Sequence, residues 1–133
     1  MTDFSKYNVL AVDDVPLNLT LVTKMLSRFR FTVRTAGSAR EAMAAIAEKK
    51  PDLILLDIMM PEVDGFEVLK VLRSNPMTAD IRIIILSALN SAEDVVRGYN
   101  LGANDFITKP IILEKLINSV STQLQIVDLS RLR

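Results

Sequence analysis

Two kinds of apolar segment alternate along the chain from start to finish. Short continuous apolar runs, typical of buried β-strands, are each followed by a longer stretch whose apolar residues recur at helical spacing. Strict alternation of five such units predicts an α/β fold with a parallel sheet and right-handed crossovers. The predicted strands are residues 9–14, 32–35, 53–57, 82–87 and 105–108.

Capping signals support the predicted helices. Ser38 followed by Glu41 forms a capping box at the start of the second helix. Ser91 with Asp94 is a similar signal for the fourth helix, and Gly102 suits its C-terminal cap. The apolar residues at helical spacing on this fourth helix are Val95, Val96 and Tyr99.

The length of 133 residues suits one domain, which we predict over residues 7–126, with residues 1–6 and 127–133 as flanking segments or a linker. The segment 124–132 is able to extend the fifth helix as a linker or a dimer contact. No apolar run reaches the roughly 18–20 residues of a membrane helix, and no signal peptide is visible. We therefore expect a cytoplasmic protein that contacts no membrane.

Composition excludes several function classes. Sixteen basic and sixteen acidic residues balance without a basic cluster, so this segment is not expected to contact nucleic acid. The absence of cysteine and histidine excludes disulfides, thiolate or histidine-ligated zinc, Ser-His-Asp catalysis and a phosphohistidine carrier. Carboxylate, lysine, hydroxyl and backbone chemistry remain.

Acidic residues stand at the ends of two predicted strands. In a doubly wound sheet of order 2-1-3-4-5, Asp13, Asp14 and Asp57 meet where the strand order reverses. Two charges about 5 Å apart repel by roughly 3 kcal/mol at an effective dielectric near 20, so Lys109, a metal or both should offset them. An all-oxygen ligand set suits Mg²⁺ or Mn²⁺. Taken singly, Asp13 or Asp14 is equally well explained as a turn former, and Lys109 as a surface lysine.

Four sequence motifs resemble one known family. They are VLAVDD at residues 9–14, LILLDIMMPEVDG at 53–65, ILSA at 85–88 and DFITKP at 105–110. Over about residues 6–126 the chain resembles the receiver domain of two-component response regulators. The resemblance implies a flavodoxin-like, doubly wound, five-stranded parallel sheet of order 2-1-3-4-5 with five helices.

The resemblance also implies a phosphorylation site. Asp57 matches the aspartate that accepts a phosphoryl group from a sensor histidine kinase or a phosphotransfer protein. Asp14, Asp57 and the backbone carbonyl of Met59 match the ligands of Mg²⁺, for which Mn²⁺ can substitute, and Asp13 matches an acid that reaches the metal through water. On this interpretation the chain is a phosphoacceptor that promotes its own phosphorylation and slow dephosphorylation, and is not an enzyme.

Further positions match the residues that bind the phosphoryl group and respond to it. Ser87 and Lys109 match its hydrogen-bonding and ion-pairing partners, and the small Ala88 leaves room for it. Phe106, which on position alone is an ordinary core aromatic, matches a residue that turns inward with Ser87 and remodels the surface of the fourth helix, fifth strand and fifth helix. The Lys109–Pro110 peptide bond is expected to be cis. Met59 and Leu89 match positions that set how fast the aspartyl phosphate hydrolyses. Both are apolar and are expected to slow hydrolysis; the alternative is that they only pack against neighbouring side chains.

Other interpretations fit less well. A haloacid-dehalogenase-type phosphatase needs a second aspartate where Met59 stands, and a nucleotide or flavin module needs a glycine-rich loop that the chain lacks. A phosphorylation-independent pseudo-receiver that acts as an interaction module is the remaining alternative. Expected downstream partners are another protein, a fused output domain or a second copy bound through the surface that Phe106 remodels. The VDDVPLN segment, with Pro16 and Asn18, resembles receivers of hybrid kinases and cyclic-dinucleotide regulators.

Overall fold

Five strands alternate with five helices in the computed structural model, which describes residues 5–61 and 63–131. The alternation is the one that the hydrophobic pattern predicts. In chain order the elements are β1 (Asn8–Val12), α1 (Pro16–Ser27), β2 (Thr32–Ala36), α2 (Ala39–Glu48), β3 (Leu53–Asp57), α3 (Gly65–Ser74), β4 (Arg82–Ser87), α4 (Ala92–Asn100), β5 (Asp105–Thr108) and α5 (Leu113–Arg131).

The sheet is parallel throughout, and its order, β2-β1-β3-β4-β5, confirms the predicted fold class. β1 and β3 are neighbours, and their register pairs Val12 with Leu56. The residues that follow this pair, Asp13 and Asp57, therefore emerge side by side at the carboxyl edge of the sheet. This is the point where the strand order reverses and where ligands of such sheets bind.

Layers of apolar side chains cover both faces of the sheet. One layer joins the sheet to α2 and α3, and the other joins it to α1 and α5. The central strands β1 and β3 are buried along their whole length, because helices cover both of their faces. Within the described residues, no helix combines the length and the apolar character needed to cross a bilayer.

Helix ends agree with the capping signals. The hydroxyls of Ser38 and Ser91 accept hydrogen bonds from the backbone N–H groups of Glu41 and Asp94, both at 3.1 Å. Gly102 follows α4 with a φ of 107°, a conformation that favours glycine. α5 continues without a break past residue 126, the predicted end of the domain, and residues 132–133 lie outside the described part.

The structure corrects two details of the predicted elements. β1 was predicted to end at Asp14, but it ends at Val12, because a carboxylate oxygen of Asp13 accepts a hydrogen bond from Val15 N–H at 2.9 Å and turns the chain. The apolar residues at helical spacing on α4 also do not mark its buried side. Val96 and Tyr99 are 55% and 45% exposed, and only Gly98 is buried among the residues of this helix, all of which are described.

Candidate functional site

An acidic pocket lies at the carboxyl ends of β1 and β3. Asp13, Asp14 and Asp57 each offer one carboxylate oxygen, and these oxygens all lie within 4.8 Å of one another. Asp13 and Asp57 are 7% and 5% exposed, whereas Asp14 is more open to solvent. The structure thus brings together the three carboxylates that the sequence analysis selected.

Lys109 reaches into this pocket from the residue after β5. Its Nζ lies 3.2 Å from Oδ2 of Asp13 and 3.4 Å from Oδ2 of Asp57. Its backbone N–H donates to the carbonyl of Ser87 at 2.8 Å, and the peptide bond to Pro110 is cis, as expected. The pocket therefore holds three carboxylates and one ammonium group, which leaves an excess of negative charge.

The surroundings of Asp57 act on its pKa in opposite directions. Burial has the largest effect and raises the pKa above its ordinary value, because the charged form loses hydration. The hydrogen bond from Met59 N–H to Oδ1, at 2.9 Å, and the charge of Lys109 both lower the pKa, whereas the charge of Asp13 raises it. The net effect is a raised pKa, so the pocket disfavours the ionised form of Asp57 unless further positive charge binds there.

The ligand chemistry of the pocket fits a hard divalent cation. The groups that converge are carboxylate oxygens, and the chain has no histidine or cysteine to favour zinc or copper. The excess negative charge also favours a cation. The residues present therefore fit Mg²⁺, with Mn²⁺ as a chemically similar substitute.

The loop between β3 and α3 holds the backbone of Met59 near Asp57. Met59 pairs with Asp64 in an isolated antiparallel bridge, and Asp64 caps α3 by accepting a hydrogen bond from Phe66 N–H at 2.9 Å. A Cβ atom at Gly65 would lie 2.2 Å from Cα of Ile58, so only glycine permits this close approach. The Asp–Gly pair of the motif thus closes the loop that carries Met59.

Ser87, Ala88 and Leu89 follow one another at the end of β4. Ser87 is fully buried, and its hydroxyl oxygen accepts a hydrogen bond from Leu89 N–H at 3.0 Å. Ala88 is exposed, while Leu89 is partly buried against the core. Met59, the other residue predicted to influence phosphoryl lifetime, is 52% exposed.

Phe106 is the second residue of β5, and its ring lies next to Gly98 of α4. Its ring is partly buried against the core layer of α2 and α3. A Cβ atom at Gly98 would lie 3.0 Å from Cδ2 of this ring and 2.9 Å from Cδ1 of Ile85. The missing side chain of Gly98 therefore lets α4 approach the ring closely.

A polar network beside Phe106 was not predicted. Asp105 accepts hydrogen bonds from Tyr99 O–H at 3.1 Å, from Phe106 N–H at 2.8 Å and from Ser119 O–H. Burial raises the pKa of Tyr99, and the charge of Asp105 adds to the rise. One carboxylate thus ties α4 to α5 across β5. The DFITKP motif contains Asp105, but nothing in its spacing indicates these two hydroxyl partners.

Comparison with known proteins shows the family. Residues 9–121 match the model of the response regulator receiver domain, so the chain belongs to this family. A probable cyclic di-GMP phosphodiesterase of Vibrio cholerae is 37% identical over 94% of this chain and 28% of its own length. The DNA-binding dual master transcriptional regulator RpaA of Synechocystis is 37% identical over 90% of this chain and 50% of its own length.

Solved structures agree with this assignment. The signal receiver domain of a putative LuxO repressor protein from Vibrio parahaemolyticus superimposes with a TM-score of 0.88 at 29% identity, over 95% of both chains. The chain spans about a quarter to half the length of the two curated relatives. It is a receiver domain of two-component signalling, a class that binds Mg²⁺ at an acidic pocket and works with histidine kinases and output domains.

Proposed function

We propose that this receiver accepts a phosphoryl group on Asp57 from the phosphohistidine of a sensor kinase or a phosphotransfer protein, in a reaction that requires Mg²⁺. The observation that carries the proposal is the convergence of three carboxylates with the ammonium group of Lys109, 3.2 Å from Asp13 and 3.4 Å from Asp57. Asp14, Asp57 and the Met59 carbonyl would hold the metal directly, and Asp13 would hold it through water. The metal would neutralise charge on the transferred oxygens.

Each residue of the pocket then has a separate task. Oδ1 of Asp57 is occupied by Met59 N–H, which leaves Oδ2, the oxygen nearer Lys109, to attack phosphorus. The P–O bond forms as the P–N bond of the donor breaks, and the imidazole leaves with the electron pair. Lys109 balances the charge on the phosphoryl oxygens. Ser87, whose oxygen already accepts from Leu89 N–H, has its own proton left to donate to one of them.

Reaction with a small phosphodonor tests this proposal. We expect acetyl phosphate with Mg²⁺ to add one phosphoryl group to the protein, seen by intact mass, and we expect no addition without Mg²⁺ or in Asp57→Ala. A folded, Mg²⁺-binding protein that is never phosphorylated would instead favour the pseudo-receiver, which acts as an interaction module.

Phosphorylation is proposed to change the surface of α4, β5 and α5 through Ser87 and Phe106. A switch from 1:99 to 99:1 needs about 5.5 kcal/mol of differential binding, and charge-assisted hydrogen bonds contribute roughly 1.5–3 kcal/mol each. Two or three bonds made only in the active state are therefore sufficient. Phosphorylated Phe106→Ala should fail to engage its partner, and a full partner response would contradict this role.

The domain bounds, the location and the downstream partners are also part of the proposal. We propose a receiver over residues 7–126, a cytoplasmic location, and either a partner protein, a fused output domain or a homodimer through α4, β5 and α5. The two relatives are longer and are named a phosphodiesterase and a DNA-binding regulator, which supports a fused output. We also propose that this segment binds neither nucleic acid nor membranes. It is proposed to promote only its own phosphorylation and slow dephosphorylation, and not to act as an enzyme on other molecules.

A further inference from the structure

Among the described residues, α4 buries fewer of its residues than any of the other four helices. All nine of its residues are described, and the only buried one is Gly98, which has no side chain to pack. The other helices assigned to the core layers each bury two or more residues, mostly large apolar ones. Burial of apolar area therefore contributes little to the position of α4, and polar contacts must carry a larger share.

Arg97, the neighbour of Gly98, supplies such contacts. Its guanidinium carbon lies 4.2 Å from the centre of the Phe66 ring, which is a stacked cation–π geometry. One of its terminal nitrogens lies 3.7 Å from Oδ2 of Asp64. Phe66 is almost fully buried, so the ring is a fixed platform for the guanidinium group. Arg97 thus joins α4 to the first turn of α3.

A series of contacts connects Arg97 to the proposed metal site through Asp64 and Met59. Asp64 uses its other oxygen, Oδ1, to cap α3, and its backbone pairs with Met59. Met59 N–H in turn donates to Asp57. Arg97 is therefore separated from the phosphoacceptor by two residues, each of which makes a defined contact. Groups that orient the ligands of a metal commonly influence its affinity, even when they do not touch it.

We propose that Arg97 is a positioning residue that couples α4 to the loop carrying Met59, and thereby strengthens the binding of Mg²⁺. The proposal rests on the proposed function, in which the Met59 carbonyl is a metal ligand. Because coupling between sites is reciprocal, bound Mg²⁺ should also hold α4 more firmly against α3.

The sign of the effect separates this proposal from simple electrostatics. Removing a positive charge near an acidic pocket should by itself make Mg²⁺ bind more tightly. If Arg97 positions the loop, Arg97→Met should instead bind Mg²⁺ about threefold to tenfold more weakly, since it loses both the stacking and the ion pair. Arg97→Lys keeps the charge but loses the planar stacking group, so its affinity for Mg²⁺ should lie between those of the wild type and Arg97→Met.

Isothermal titration calorimetry with Mg²⁺ alone measures the affinity, and Arg40→Met, which changes an exposed arginine of α2, is the control. Hydrogen exchange of the Met59 amide is a second readout that needs no metal, and it should become faster in Arg97→Met. A variant that melts earlier but keeps wild-type affinity and wild-type Met59 exchange would overturn the proposal. If the wild type itself neither bound Mg²⁺ nor became phosphorylated on Asp57, the proposed function would fail, while the exchange measurement would still decide whether Arg97 holds the loop.

Discussion

Replacing Asp57 by asparagine is expected to stabilise the metal-free protein. The side chain is 5% exposed and shares its pocket with two other carboxylates, so its charge is repelled from two sides and poorly hydrated. Asparagine has nearly the same shape, and its carbonyl oxygen can still accept the hydrogen bond from Met59 N–H that Oδ1 accepts at 2.9 Å. The substitution therefore removes the charge and leaves the packing in place.

The magnitude follows from the distances. At 4.8 Å, the upper limit of the separations between these oxygens, two charges repel by about 3.5 kcal/mol at an effective dielectric of 20, and Asp57 takes part in two such pairs. Its attraction to Lys109 at 3.4 Å is about 5 kcal/mol on the same scale. The repulsion exceeds the attraction by about 2 kcal/mol, and the exposure of Asp14 reduces this difference. We expect a gain of about 1–2 kcal/mol, or a Tm higher by roughly 3–8 °C.

Thermal unfolding with and without Mg²⁺ checks this reasoning. Mg²⁺ should raise the Tm of the wild type by mass action and raise that of Asp57→Asn less, because the variant lacks the charge of one proposed ligand. Asp80→Asn is a suitable control, since Asp80 is an exposed aspartate whose carboxylate pairs with Lys50 at 2.7 Å. It should lower the Tm slightly and keep the full response to Mg²⁺. An Asp57→Asn protein that melts below the wild type without metal would refute the argument.

Three further outcomes are expected. Because the pKa of Asp57 is raised in the folded state, ionising it opposes folding. The advantage of Asp57→Asn in Tm should therefore be absent in acid, grow as the pH rises from the ordinary pKa of aspartate to the raised pKa, and stay constant above it; an advantage independent of pH would contradict this. Gly98→Ala places a methyl group 3.0 Å from the Phe106 ring and should shift the ring's NMR resonances and lower the Tm, whereas unchanged spectra would show that the contact is loose. The apolar Met59 and Leu89 should hinder the attacking water, so the aspartyl phosphate should outlive that of a variant with polar residues at both positions; hydrolysis within seconds at neutral pH would count against this.

The sequence was sufficient to predict the fold and the meeting of the acidic residues at the candidate site. Strict alternation of apolar runs and helical stretches restricts the chain to a parallel α/β sheet, and the carboxyl ends of parallel strands share one edge. Asp57 ends β3, Asp13 follows β1 and Lys109 follows β5, so all three side chains lie at this edge, where they converge. The exact end of β1 was not predictable in this way, because a side-chain hydrogen bond from Val15 N–H to Asp13 decides it.

The attachment of α4 could not be predicted from the hydrophobic pattern. That pattern counts apolar side chains, and it selected Val96 and Tyr99, whereas the helix meets the sheet through Gly98. A close approach of the backbone has no apolar signature in the sequence. The contact between Arg97 and the Phe66 ring is hidden for a related reason, since the two residues lie on different helices and only the folded structure brings them together.

The central claim is that Asp57 itself takes the phosphoryl group. After reaction with acetyl phosphate and Mg²⁺, reduction of the acyl phosphate with borohydride and peptide mapping by mass spectrometry would mark the modified carboxyl group. We predict a single reduced residue at Asp57, absent when Mg²⁺ is omitted. Modification at Asp13, at Asp14 or at a carboxylate outside the pocket, with Asp57 untouched, would contradict the account.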